Sequence, residues 1–120
     1  KLWVVVYTHE LEAPEWADFA QFMDIVNLWV WKSEELVQQD EGIARCREVF
    51  PGKPIMMGAY LRDYTMVAPV PLDRVQVQWE SIARNLEAGT LDGYSILSAN
   101  LIDGQLEQAE WIRDFIAAHS

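Results

Sequence analysis

Residues 25–31 read IVNLWVW (Ile25-Val-Asn-Leu-Trp-Val-Trp31), a run apolar on both alternating faces except at Asn27. A strand that sheds water on both sides lies between packed layers, the usual condition of a strand in a parallel sheet. Working outward, the same signature occurs at Leu2–Thr8 (LWVVVYT), at Pro54–Leu61 (PIMMGAYL) and, more weakly, at Gly93–Ala99 (GYSILSA). Gly58 inside the third run predicts that a bulky group approaches the backbone there.

The intervals between the runs carry helical spacing. Pro14 suits a first helical position, Glu15 complements the helix dipole, and Trp16, Phe19 and Met23 share one stripe. Ser33 with Glu34 and Glu35 makes a helix start, and Leu36, Ile43, Cys46 and Phe50 form its apolar face before Pro51 and Gly52 stop it. A polar, proline-bearing stretch from Arg62 to Val70 precedes Pro71, which opens a helix with Leu72, Val75, Trp79, Ile82 and Leu86 on one stripe, ended by Gly89. Asp103 is the expected cap of a last helix bearing Leu106, Ala109, Ile112, Phe115 and Ile116.

Four strand-then-helix units therefore follow one another, predicting one α/β domain over residues 1–120 with a parallel sheet and helical crossovers. The first strand-to-helix junction, Thr8-His9-Glu10-Leu11-Glu12-Ala13-Pro14, contains no glycine, which disfavours a Rossmann or phosphate-loop nucleotide site. The expected architecture is a (βα)4 half TIM barrel, with an open flavodoxin-like sheet as the alternative. Four strands cannot close a barrel, since closure takes about eight. A homodimer completing an eight-stranded barrel is the expected partner arrangement, or else the chain is part of a full barrel.

Composition narrows the partners. Nineteen acidic against nine basic residues give a net charge of −10, which repels phosphate backbones and anionic membranes and argues against nucleic acid. No apolar stretch approaches the roughly 20 residues of a membrane helix, so a soluble protein is expected, with a reducing cytoplasm permitted. The chain opens on Lys1 rather than methionine, as a processed product or a piece of a longer polypeptide does. The lone Cys46 falls on an apolar stripe and is expected to pack rather than react.

In barrels the chemistry sits at the carboxyl ends of the strands. Alternation places Tyr7 and His9 on one face, with Asn27, Trp29 and Trp31 of the second run and Gly58, Tyr60 and Arg62 of the third. We expect this face to point inward, leaving Val4, Val6, Leu28, Val30, Met57 and Ala59 to meet the helices. Aromatic rings with a few polar groups suit stacking on an uncharged ring such as a sugar, although the same rings can simply fill a core. The expected substrate-binding residues are Tyr7, His9, Trp31, Lys32, Tyr60, Arg62, Tyr64 and Asn100.

Glu10 and Asp63 are the best-placed carboxylates for an acid and base pair of glycoside hydrolysis, set by a separation of about 5 to 5.5 Å for retention or about 6.5 to 9.5 Å for inversion. Both are equally readable as solvated loop acids. Lys32, after Trp31, offers a Schiff-base amine only if it is desolvated. His9 is a candidate general base or a histidine held by the backbone, and His119 lies in a terminus expected to fray. No metal spacing and no serine elbow is present, Ser98 included, and no cofactor is expected.

The segments Gly58-Ala59-Tyr60-Leu61-Arg62-Asp63-Tyr64 and Trp29-Val30-Trp31-Lys32, with the proline-bearing loop opening the next helix, resemble the carboxyl-terminal half of glycoside-hydrolase-like TIM-barrel proteins. The resemblance spans nearly the whole chain. It implies a barrel fold and carbohydrate contact, and carries no catalytic assignment onto Glu10, Lys32 or Asp63. A carboxyl-terminal half lacks whatever acid or base the other half holds, so the module alone is expected to be catalytically silent. A self-associating structural half barrel without small-molecule activity is the alternative.

Overall fold

A computed structural model describes residues 1–63, 65, 68–97 and 107–119. Its main sheet is formed by β1 (Trp3–Tyr7), β2 (Ile25–Trp29), β3 (Ile55–Tyr60) and β6 (Gly93–Leu97). All are parallel, in the order β1-β2-β3-β6. The helices α1 (Trp16–Phe19), α2 (Gln39–Val49), α3 (Leu72–Ala88) and α4 (Glu107–His119) alternate with them. Each strand neighbours the next main-sheet strand in sequence, so the order never reverses as it does in a flavodoxin-like sheet.

Successive crossovers of one hand around a sheet that never reverses put every helix on the same side. The contacts follow that rule. Tyr94 of β6 meets Trp79 of α3 with ring centroids 5.0 Å apart, and Trp79 meets Phe115 of α4 at 6.4 Å. Gln39 at the start of α2 and Gln78 of α3 exchange two hydrogen bonds, and Gln78 also donates to the Gly58 carbonyl of β3. Trp16 of α1 packs on Phe50 at the end of α2. Val6, Val26, Leu28, Val30, Ile55, Met57 and Ala59 are buried beneath these helices, as alternation predicts.

The opposite face is not covered by any helix among the described residues. Trp3, Val5 and Leu97 are 51%, 51% and 47% exposed there. Its middle is shielded locally by a polar ladder across three strands. Trp29 Nε1 donates to Asn27 Oδ1 (2.6 Å), while Asn27 Nδ2 donates to Ser95 Oγ (2.9 Å) and to the Met56 carbonyl (3.2 Å). The bulky group that approaches Gly58 is the Trp29 indole, inside which a Cβ at position 58 would fall.

Three details depart from the sequence expectation. The first helix is a single α turn followed by a 3-10 turn at Ala20–Phe22, because Ala20, Gln21 and Phe22 lead into β2 too soon for a longer helix. Ser33 opens a 3-10 segment, Ser33–Gln38, rather than α2 itself. The stretch after β3 carries a two-stranded antiparallel ribbon, β4 (Arg62–Asp63) with β5 (Ala68–Pro69). Tyr64, Ser98, Asn100, Asp103 and Leu106 lie outside the described residues.

Replacing Gly58 by Ala should push the Trp29 indole off the sheet and break its bond to Asn27, costing about 1–3 kcal/mol of stability, the usual price of overpacking. Urea denaturation measures this, and an unchanged midpoint would refute the close contact.

Candidate functional site

The carboxyl ends of the strands gather most of the residues singled out from the sequence, but divide them into two groups. The first is an aromatic cluster at the ends of β1 and β2. Tyr7 stacks on His9 at 5.6 Å and meets the edge of Trp31 at 5.3 Å. His9 belongs to a 3-10 turn, Thr8–Glu10, that follows β1 directly. Glu10 closes this turn by accepting the Tyr7 amide, and its own carbonyl accepts the Trp16 indole N–H at 2.7 Å. His9, Glu10 and Trp31 are exposed and Tyr7 half-buried, so the rings stand open to solvent. Two small cavities flank the cluster, about 230 Å³ beside Thr8, His9 and Arg45 and about 370 Å³ beside His9, Glu10 and Phe19.

The second group is a clasp at the ends of β2 and β3. Asp63 is 1% exposed. One carboxylate oxygen accepts the amide of Ser33 (3.0 Å) and its hydroxyl; the other accepts the amide (2.9 Å) and hydroxyl (2.5 Å) of Thr65. Arg74 of α3 donates to the Ser33 hydroxyl at 2.8 Å. Burial pushes the Asp63 carboxyl up, but the hydrogen bonds from Ser33 and Thr65 outweigh it and bring the pKa down to about 2. A general acid needs a proton at working pH, and this carboxyl has none. Its oxygens are also spent on holding two loops, which makes Asp63 a positioning residue.

Tyr60 sits near this clasp, 6.4 Å from Trp29 by ring centroids, with a buried hydroxyl that has no hydrogen-bond partner among the described residues. Burial, and then the charges of Asp63 and Glu35, push its phenol well above the ordinary range. Arg62, half-buried, lies in β4. Lys32 is exposed, so the apolar enclosure that a Schiff-base amine requires is missing. Glu10 and Asp63 fall in different groups, and the cavity that Glu10 lines beside His9 and Phe19 does not reach Asp63. Cys46 is fully buried and its thiol is pushed up to about 12 by that burial. No cluster of metal-ligating side chains occurs among the described residues.

The sequence reading missed Ser33 and Thr65 as partners of Asp63, Arg74 as a partner of Ser33, and Ser95 as a partner of Asn27. A polar Asn27 inside an otherwise apolar strand was the available signal, since a buried amide demands partners. A further groove, of about 790 Å³, lies elsewhere, between α3 and α4. No family model, no curated protein and no solved structure matches this chain. No helix of the described residues is long and apolar enough to cross a membrane.

The Asp63 clasp predicts a pH dependence. A carboxyl held near 2 instead of 3.8 stabilises the folded chain by on the order of 2 kcal/mol above pH 4, and this is lost as pH falls from about 4 to about 2. Asp63→Asn should remove that acid-limb slope, at a cost of at least about 1 kcal/mol at pH 7 from disturbed donors. Urea melts from pH 2 to 7 check both, and a parallel pair of curves would refute the assignment.

Proposed function

We propose that the chain is a half-barrel module that pairs with a second copy of itself to complete an eight-stranded barrel, and that the mouth of that barrel takes a neutral sugar ring. The observation that carries the first part is the uncovered sheet face, where Trp3, Val5 and Leu97 stand about half exposed while the other face is buried. A strand order that never reverses, with the described helices on one side only, supports this reading, since barrel segments share that order. Both outer strands, β1 and β6, have one unpaired edge in the main sheet. A two-fold axis through the barrel sets each β1 beside the partner's β6, removing both edges at once.

Charge does not oppose this pairing at the sheet. The four main-sheet strands contain no Asp, Glu, Lys or Arg, so the charge of −10 resides on helices and connections. The sugar reading rests on the exposed His9 and Trp31 rings with the half-buried Tyr7 ring between them at the strand ends, because a stacking platform of this kind matches the apolar face of a pyranose. The resemblance to glycoside-hydrolase-like barrels points the same way. Binding without hydrolysis fits best, because Asp63 is committed to its clasp. Glu10 remains the one candidate carboxylate beside the aromatic cluster.

Size-exclusion chromatography with light scattering over a hundredfold concentration range should give the mass of two chains, and Val5→Lys should weaken association at least about 100-fold by burying an unpaired charge. A monomer throughout would end the assembly reading. Soluble neutral glycans should quench tryptophan fluorescence saturably, and Trp31→Ala should abolish the quenching. Quenching that persists in Trp31→Ala would remove the cluster from the site.

A further inference from the structure

The helix layer holds an apolar concavity of its own. The α3–α4 groove, about 790 Å³, has the size of a small-molecule site. Leu86, Tyr94, Phe115 and Ile116 line it, and Trp79, 1% exposed, reaches it from the core. Because the groove belongs to the helices and not to the open sheet face, nothing in it depends on the assembly above.

Two observations point to an occupant. The Trp79 indole N–H is buried and has no hydrogen-bond partner among the described residues. A buried donor ordinarily finds an acceptor, and an indole nitrogen can do nothing but donate. The rings that meet Trp79 edge-on, Tyr94 at 5.0 Å and Phe115 at 6.4 Å between centroids, themselves line the groove.

The second observation is the charge at the rim, where Glu80, Arg84 and Glu87 stand on α3 and His119 on α4. Arg84 is paired with Asp40 of α2 at 2.9 Å, and His119 Nδ1 lies 2.9 Å from the Phe115 carbonyl. Glu80 and Glu87 are exposed and form no ion pair among the described residues. Two helical turns apart, they stand about 10 Å from one another along α3. An apolar groove whose unmatched rim charge is negative, on a chain of net charge −10, attracts cations and repels carboxylates.

We propose that the α3–α4 groove binds a small organic cation, with an ammonium group at Glu80 or Glu87, an apolar body against Leu86, Phe115 and Ile116, and an oxygen that accepts the Trp79 indole N–H. Tyr94 and Phe115 are only half-buried, and a rotamer change of either ring gives that oxygen access to the nitrogen.

Three probes of similar shape test this on the intact chain: 4-methoxyphenethylamine, phenethylamine, which lacks the acceptor, and 3-(4-methoxyphenyl)propanoate, which reverses the charge. Proton–nitrogen NMR follows the indole N–H signals of the six tryptophans, with that of Trp79 assigned by its through-space contacts to Tyr94 and Phe115. The methoxy amine should move the Trp79 signal saturably, with a Kd of about 1 mM or tighter. Phenethylamine should bind about 2- to 10-fold more weakly, the worth of one hydrogen bond, and the propanoate at least about 10-fold more weakly. Replacing both rim acids, Glu80→Gln with Glu87→Gln, should weaken the methoxy amine at least about 5-fold and leave the far-UV circular dichroism unchanged, since both positions are exposed. Any of three results overturns the proposal: no saturable movement of the Trp79 signal with the methoxy amine, equal affinity for that amine and either other probe, or an affinity indifferent to loss of both acids.

Discussion

The parallel pairing of β1, β2, β3 and β6 in strict succession is the constraint on which the rest of the molecule depends. Each crossover returns the chain beside the strand it has just left, and because crossovers share one hand, all four helices accumulate on one face. That face becomes a core of Val6, Leu28, Ile55, Met57, Trp79 and Phe50, all essentially excluded from water. The other face receives no helix and must manage its own polarity. It does so with the Trp29–Asn27–Ser95 ladder, which satisfies the buried Asn27 amide and lays an indole over Gly58. A second strand order would have distributed helices to both sides and left nothing exposed to explain.

The ends of the strands are fixed by a different interaction. Asp63 gathers Ser33 from the loop after β2 and Thr65 from its own ribbon, and Ser33 in turn accepts from Arg74 at the start of α3. A buried carboxylate without donors would be expensive; with the amides and hydroxyls of Ser33 and Thr65 it becomes a fixed point on which three connections converge. Arg74 brings α3 into that convergence, so the helix that contributes Trp79 to the core is anchored at the same place. Rigidity at this corner contrasts with the open Tyr7–His9–Trp31 cluster, which is held by ring contacts and one capping carboxylate. Open rings and a buried anchoring acid thus occupy neighbouring loops.

Much of the fold was legible because its signals are local. Apolar runs at Leu2–Thr8, Ile25–Trp31 and Pro54–Leu61 marked the strands, and Pro71 and Gly89 bracketed α3 within a residue. The division of faces was legible too, since Val6, Leu28 and Met57 alternate with Tyr7, Asn27 and Gly58. Local periodicity failed where tertiary geometry decides: Trp16, Phe19 and Met23 have helical spacing, yet the chain must reach β2 and uncoils into a 3-10 turn. Asp63 shows the limit most clearly. A carboxylate after an apolar strand looks the same in sequence whether it serves chemistry or structure, and only the arrival of Ser33, thirty positions away, decides between them.

Placement of charge gives the open face its character. Every one of the nineteen acids lies outside the four main-sheet strands, on helices and connections, so Coulomb repulsion between two chains acts between their outer layers rather than across the sheet. The apolar surface between them loses nothing to desolvation of ions when it is buried, and gains roughly 25 cal/mol for each Å² removed from water. Net charge therefore keeps the helical exterior solvated while leaving the one uncharged surface free to associate. Long-range repulsion slows encounter and disfavours irregular clustering, so a contact forms only where shape brings apolar surface into register over a wide area. The uncovered face, apolar and free of charged side chains across its four strands, is on these grounds better suited to burial against another apolar surface than to standing in water.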